Sequence, residues 1–93
     1  MVCTRSAKAA LSVDPDKTVS AGTQIVLSAE GSVYDSLSWF QDGVAIADCK
    51  DQKLCVRAMT TSGEYTFKIT VTVKSNGFNL DSEDLTTLKI TVQ

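Results

Sequence analysis

Along residues 63–73, GEYTFKITVTV, apolar and polar side chains alternate one for one. Tyr65, Phe67, Ile69, Val71 and Val73 fall on one side of an extended chain, and Thr66, Lys68, Thr70 and Thr72 on the other. A period of two marks a strand with one buried face. Thr, Ile, Val, Phe and Tyr are all good strand formers. A helix would spread the same apolar groups around its whole circumference. Shorter stretches repeat the pattern. Leu11 and Val13 precede Asp14-Pro15-Asp16. Ile25, Leu27 and Ala29 share one face, as do Leu37 with Trp39, Leu54 with Val56 and Ala58, and Leu88 with Ile90 and Val92. Between these stretches, Ala21-Gly22, Glu30-Gly31, Asp42-Gly43, Ser62-Gly63 and Asn76-Gly77 supply turn and loop residues. No helical window of useful length occurs. The pattern predicts an all-β chain of about seven short strands at about 8–12-residue spacing, an antiparallel β-sandwich. The predicted core is Leu27, Trp39, Tyr65, Phe67, Ile69, Val71, Leu88 and Ile90.

The last two strands raise a question of register. A two-residue turn at Asn76-Gly77 would set Ile69 opposite Asp84 and Phe67 opposite Thr86, placing polar groups against the core face. Sliding the last strand by four residues pairs Ile69 with Leu88 and Phe67 with Ile90. Burial of one face fixes register, so the slid pairing is predicted, with residues 75–84 as a long loop or hairpin tip.

The chain has 93 residues, 43% apolar and 22% charged, which suits one small globular domain with a core. A single domain over 9–93 is predicted, preceded by an N-terminal segment, 1–8, that is mobile or bound to a partner. Nine basic residues are scattered among eleven acidic ones, for a net charge of -2. No basic stripe is present to engage a phosphate backbone, so nucleic acid is not an expected partner. No stretch approaches the roughly 20 apolar residues that cross a bilayer. The basic start lacks a sustained apolar run, so neither a signal peptide nor membrane attachment is expected.

Candidate chemistry is sparse. The chain has no His, which removes the commonest general base and the commonest zinc ligand. Its Ser and Thr residues lie on solvent faces of strands, and no nucleophile–base–orienter set can be assembled. No catalytic residue, metal site or cofactor is predicted, and an enzyme is not expected. Asp81, Glu83 and Asp84 crowd acids near one pole, with Asp14 or Asp16 as further candidates for calcium. A solvated acidic loop is the simpler reading. The cysteines are Cys3, Cys49 and Cys55, an odd number. Cys49 and Cys55 flank a five-residue stretch, KDQKL, that brings them together if it forms a tight loop. The choice is an intrachain bridge or two free surface thiols. Alternation places Cys55 with Arg57 on the face away from Leu54 and Val56, hence accessible. Cys3, in the polar N-terminal segment, is a candidate for an interchain disulfide. Phe40, out of phase with Trp39, faces outward. Phe78 and Leu80 ride on the long final loop. These three are the candidate binding residues; the alternative for Phe78 is to fold back over the end of the core.

LSWFQDG (37–43) and SGEYTFKITVTV (62–73) together resemble the third strand and the corner and sixth strand of immunoglobulin-like sandwiches. In that resemblance Trp39 is the core tryptophan, Asp42-Gly43 the following turn and Tyr65 the corner tyrosine. An antibody-type domain would carry its disulfide at the positions of Leu27 and Phe67, which are apolar here. That departure shifts the likeness to PKD-like and bacterial or phage modules, although the PKD hallmark WDFGDG is present only as WFQDG. The onset of the third strand, the Y-x-F-K-I-T-V run and the long loop before TTLKITV resemble Ig-like domains of tailed-phage outer capsid decoration proteins. The resemblance implies an Ig-like fold and a non-catalytic structural or decoration module on an assembled particle, most plausibly a virion. Its partners would be capsid, neck or tail subunits and its location the virion surface. A single domain without signal peptide or anchor also fits a component released by lysis. The alternative is an extracellular adhesion or carbohydrate-binding module cut from a larger secreted or surface protein.

Overall fold

The computed structural model describes residues 6–74 and 82–93. They form a two-layer β-sandwich of eight strands: β1 (Ser12–Asp14), β2 (Thr18–Val19), β3 (Thr23–Ser28), β4 (Ser36–Gln41), β5 (Val44–Ala45), β6 (Leu54–Met59), β7 (Gly63–Val73) and β8 (Ser82–Val92). One layer has the order β1-β3-β6 and the other β2-β8-β7-β4-β5. All pairs are antiparallel except β2 with β8, which run parallel. A 3-10 turn at Ala47–Cys49 carries the chain from β5 across to β6 in the other layer. β2 and β5 have two residues each, too short for any periodicity to reveal them.

The core lies where the facing sides of the layers meet. Leu27, Trp39, Phe67, Ile69, Val71 and Ile90 are fully or almost fully buried, together with Ile25 and Leu37. Tyr65 and Leu88 are half-buried and pack against that core. Asp42-Gly43 closes the β4–β5 hairpin as a two-residue loop, Gln41 pairing with Val44. Both loop residues have positive φ, 50° and 85°. That is the demand of a type I′ turn, which an Asp-Gly pair meets.

β6 is in the opposite phase to the one its composition predicted. Cys55 and Met59 are buried, while Leu54, Val56 and Ala58 face solvent. Either phase of LCVRAM alternates. The bond between Cys49 and Cys55 decides it, by holding Cys55 under the crossover.

The β7–β8 register also differs from the prediction. Phe67 pairs with Leu88, Ile69 with Thr86, Val71 with Asp84 and Val73 with Ser82. This lies two residues from each of the two candidates, so every side chain keeps its face, and the ladder reaches Ser82. Residues 82–84 of the predicted 75–84 loop are therefore strand, and 75–81 lie outside the described residues. The N-terminal segment accounts for the polar groups opposite Val71 and Val73. The Ala7 N–H donates to Ser82 Oγ at 2.9 Å and the Ala9 N–H to Asp84 Oδ2 at 2.8 Å. Lys8 exchanges two backbone bonds with Val33, and the Ala10 N–H donates to Ser32 Oγ. Ala7, Ala9 and Leu11 pack against the core. Within the segment 1–8, predicted to be mobile or bound to a partner, Ala7 and Lys8 are bonded into the sandwich, and residues 1–5 lie outside the described residues.

Candidate functional site

Phe40 stands on the outer face of the five-stranded layer, between Ala45 on β5 and Lys68 on β7. The Lys68 ammonium lies 4.8 Å from the ring centroid, a cation–π distance. Phe40 is therefore half covered rather than a bare platform. Around it the face is lined by hydroxyls: Ser38 pairs with Thr70, and Ser36 with Thr72. Phe78, Leu80 and Cys3 lie outside the described residues, so Phe40 is the one described member of the predicted binding set. Asp81 also lies outside. Among the described residues no group of three acids, cysteines or histidines is placed to hold a metal, and the Asp84 carboxylate accepts the Ala9 N–H.

Cys49 and Cys55 are bonded to one another, with their Cα atoms 5.5 Å apart. Both are buried. The loop they close docks on β4 through three further bonds. The Leu37 N–H donates to Asp51 Oδ1 at 2.9 Å, the Asp51 N–H returns to the Leu37 carbonyl at 2.8 Å, and Trp39 Nε1 donates to the Gln52 carbonyl at 2.8 Å. This loop thereby occupies the stretch of β4 edge that β5 leaves open. Asp51 adopts a φ of 60°, a left-handed conformation that Asp and Asn tolerate better than most residues.

At the opposite end of the sandwich, the Tyr65 hydroxyl donates to the Thr61 carbonyl, four residues upstream, at 2.7 Å. Nearby, the Asp42 carboxylate accepts the Thr66 N–H at 2.8 Å. These two bonds fasten the β6–β7 and β4–β5 turns to β7.

Two shallow grooves of about 510 Å³ open on the surface. One runs along the β5 edge beneath Arg57. That guanidinium starts from the inner side of β6, between Cys55 and Met59, and spans the layers to Gln41 Oε1 at 3.5 Å. The other lies along Thr70, Thr72, Glu83 and Leu85. Among the described residues, four large apolar side chains stand in solvent: Val44 (69% exposed), Leu85 (58%), Leu54 (55%) and Val56 (48%). Alternation alone grouped Leu54 and Val56 with Ala58 on the apolar face of their strand, with Cys55 and Arg57 on the accessible one. The signal that would have moved them is the buried bridge at their neighbour Cys55. No protein-family model matches the chain, and no curated protein matches it in sequence.

Proposed function

We propose that this protein is a non-catalytic, immunoglobulin-like structural module that attaches to an assembled particle, in the first instance a phage virion, through protein–protein contacts. The observation that carries the Ig-like part is the Tyr65 corner. Tyr65 sits near the start of β7, two residues before Phe67, and its hydroxyl bonds back to the Thr61 carbonyl, as in the tyrosine corner of that fold. The strand orders support the same reading: β1-β3-β6 corresponds to A-B-E and β8-β7-β4-β5 to G-F-C-C′. Trp39 then falls on strand C, buried in the core. Leu27 and Phe67, at the positions of the antibody-type bridge, are buried, while the disulfide ties the crossover to β6 instead. Attachment by contact is supported by the exposed Val44, Leu54, Val56 and Leu85, carried on strands of a rigid scaffold. The assignment to a virion rests on the likeness of the third-strand onset and the Y-x-F-K-I-T-V run to phage decoration domains, an analogy of sequence.

The test is co-purification. Particles assembled from the genome that encodes this chain should carry it through a density gradient at a fixed ratio to the capsid subunit. A chain that stays at the top of the gradient while particles band normally, or that binds polysaccharide by itself, overturns the particle reading.

A further inference from the structure

Among the described residues the sandwich has several strand edges, of which β6 is the least blunted. β1 has three residues and runs into Asp14 and Pro15. β2 and β5 have two residues each. The open stretch of β8 carries Glu83 and Lys89. Short strands, charge and proline are the usual devices against edge-to-edge pairing. β6 has only the inward-pointing charge of Arg57, and it is neither short nor interrupted by proline. It runs for six residues, Leu54–Met59, pairs among the described residues only with β3, and presents Leu54, Val56 and Ala58 to solvent. Its single charge, Arg57, is turned towards the other layer.

The direction of the β6 backbone groups follows from its ladder. The Ala29 N–H donates to the Lys53 carbonyl, and the Met59 carbonyl accepts from Gly22. Odd-numbered positions of β6 therefore turn their peptide groups towards β3. Leu54, Val56 and Ala58 turn theirs to the open edge. The residues with free peptide groups are the same ones whose side chains form the exposed apolar row, continued inward by Val26, which pairs with Val56.

We propose that β6 is a homodimer edge: two copies pair antiparallel through β6 about a two-fold axis at Val56, joining two three-stranded layers into one six-stranded sheet. Charge selects the register between the two copies. With Val56 opposite its own copy, Leu54 meets Ala58 and Cys55 meets Arg57, so no like charges stand opposite. Sliding one way to the next register with the same peptide directions sets Lys53 opposite Arg57. Sliding the other way sets Arg57 opposite Arg57. Both slips are penalised by directly opposed like charges. In the unslipped register the pairs 54–58, 56–56 and 58–54 each exchange two N–H···O bonds. Val26 and Val56 of one copy then run in a continuous apolar row into Val56 and Val26 of the other. The self-complementarity of one patch is what a two-fold interface requires. This inference stands apart from the particle reading; either can fail without the other.

Sedimentation of the full chain through a concentration series reaching the high micromolar range should show a monomer–dimer equilibrium. Val56→Lys places two ammonium groups across the axis. It should weaken the dimer at least about tenfold, equivalent to about 1.4 kcal/mol, with the circular dichroism spectrum unchanged. Val56→Pro removes an edge donor that the β3–β6 ladder does not use and should also give a monomer, separating edge pairing from stacking of apolar faces. In a Cys3→Ser background, Val56→Cys should oxidise to a covalent dimer faster than Gln24→Cys. Opposed residues of a hydrogen-bonded antiparallel pair have Cα atoms about 5.5 Å apart, within disulfide reach. A wild-type chain that stays monomeric throughout the series, a dimer that survives both Val56→Lys and Val56→Pro, or cross-linking no faster at Val56 than at Gln24 would overturn the proposal.

Discussion

At Asp51 one side chain meets two demands. Its backbone must sit at a φ of 60°, and its carboxylate must receive the Leu37 N–H, which β5 does not reach. Asn satisfies both, since it tolerates the left-handed region and keeps an acceptor oxygen. Ala satisfies neither. Asp51→Ala should therefore cost about 2 kcal/mol, roughly half from the lost hydrogen bond and half from forcing a Cβ-bearing residue without local compensation into that region. Asp51→Asn should cost well under half as much. Urea denaturation of the two variants against the parent measures both, and equal losses would mean that neither the conformation nor the acceptor matters at this position. Asp51 was not singled out by the sequence, where it is one acid in KDQKL among several near turns. Its importance comes from a long-range partner fourteen residues away, which no local pattern encodes.

The 49–55 loop shows at the level of elements how a covalent constraint and hydrogen bonds share one task. The bridge closes a loop of six residues' separation, for which chain entropy gives a stabilisation of about 2–3 kcal/mol. Replacing both Cys49 and Cys55 by Ala should lower the free energy of unfolding by about that amount, with the two-layer β signature retained at 25 °C. A loss below about 0.5 kcal/mol in denaturant titration would show that Asp51 and Gln52 alone fasten the crossover. The same loop explains why some strands were legible and one was inverted. β7 carries five apolar residues in strict alternation, so only one phase buries anything, while β3 and β4 each set two buried apolar residues, Ile25 with Leu27 and Leu37 with Trp39, against one on the outer face, Val26 and Phe40. In β6, the outward set Leu54, Val56 and Ala58 is more apolar in appearance than the inward set Cys55, Arg57 and Met59. Hydropathy favours the wrong face there, and only knowledge that the bridge is buried reverses it. The disulfide itself was visible as one of two alternatives, because the spacing allows it without requiring it.

Over the whole molecule, the N-terminal residues act as a strap across the seam between the layers. They bond to β8 through Ser82 and Asp84 on one side and to the β3–β4 connection through Val33 and Ser32 on the other. This strap sets the point where the sequence ceased to be a guide to register. Matching apolar residues of β7 against those of β8 rewards sliding the strands until every inward place is oily. The actual register leaves Asp84 opposite Val71, because that carboxylate has a partner 75 residues away in sequence, the Ala9 N–H. Pairwise alternation holds no record of such a third segment. The account makes a quantitative claim about coupling. Asp84→Ala in the full chain leaves the Ala9 donor without its acceptor and should destabilise by about 1 kcal/mol, the ordinary net value of one hydrogen bond, with the exposure of this one arguing against more. In a chain lacking residues 1–9 the donor is gone, and the same substitution should cost almost nothing. The double-mutant cycle should therefore return a coupling of about 1 kcal/mol, and amide exchange at the start of β8 should quicken in the shortened chain. Additive losses in the two backgrounds would show that the strap does not act through Asp84, and the register would then need another cause.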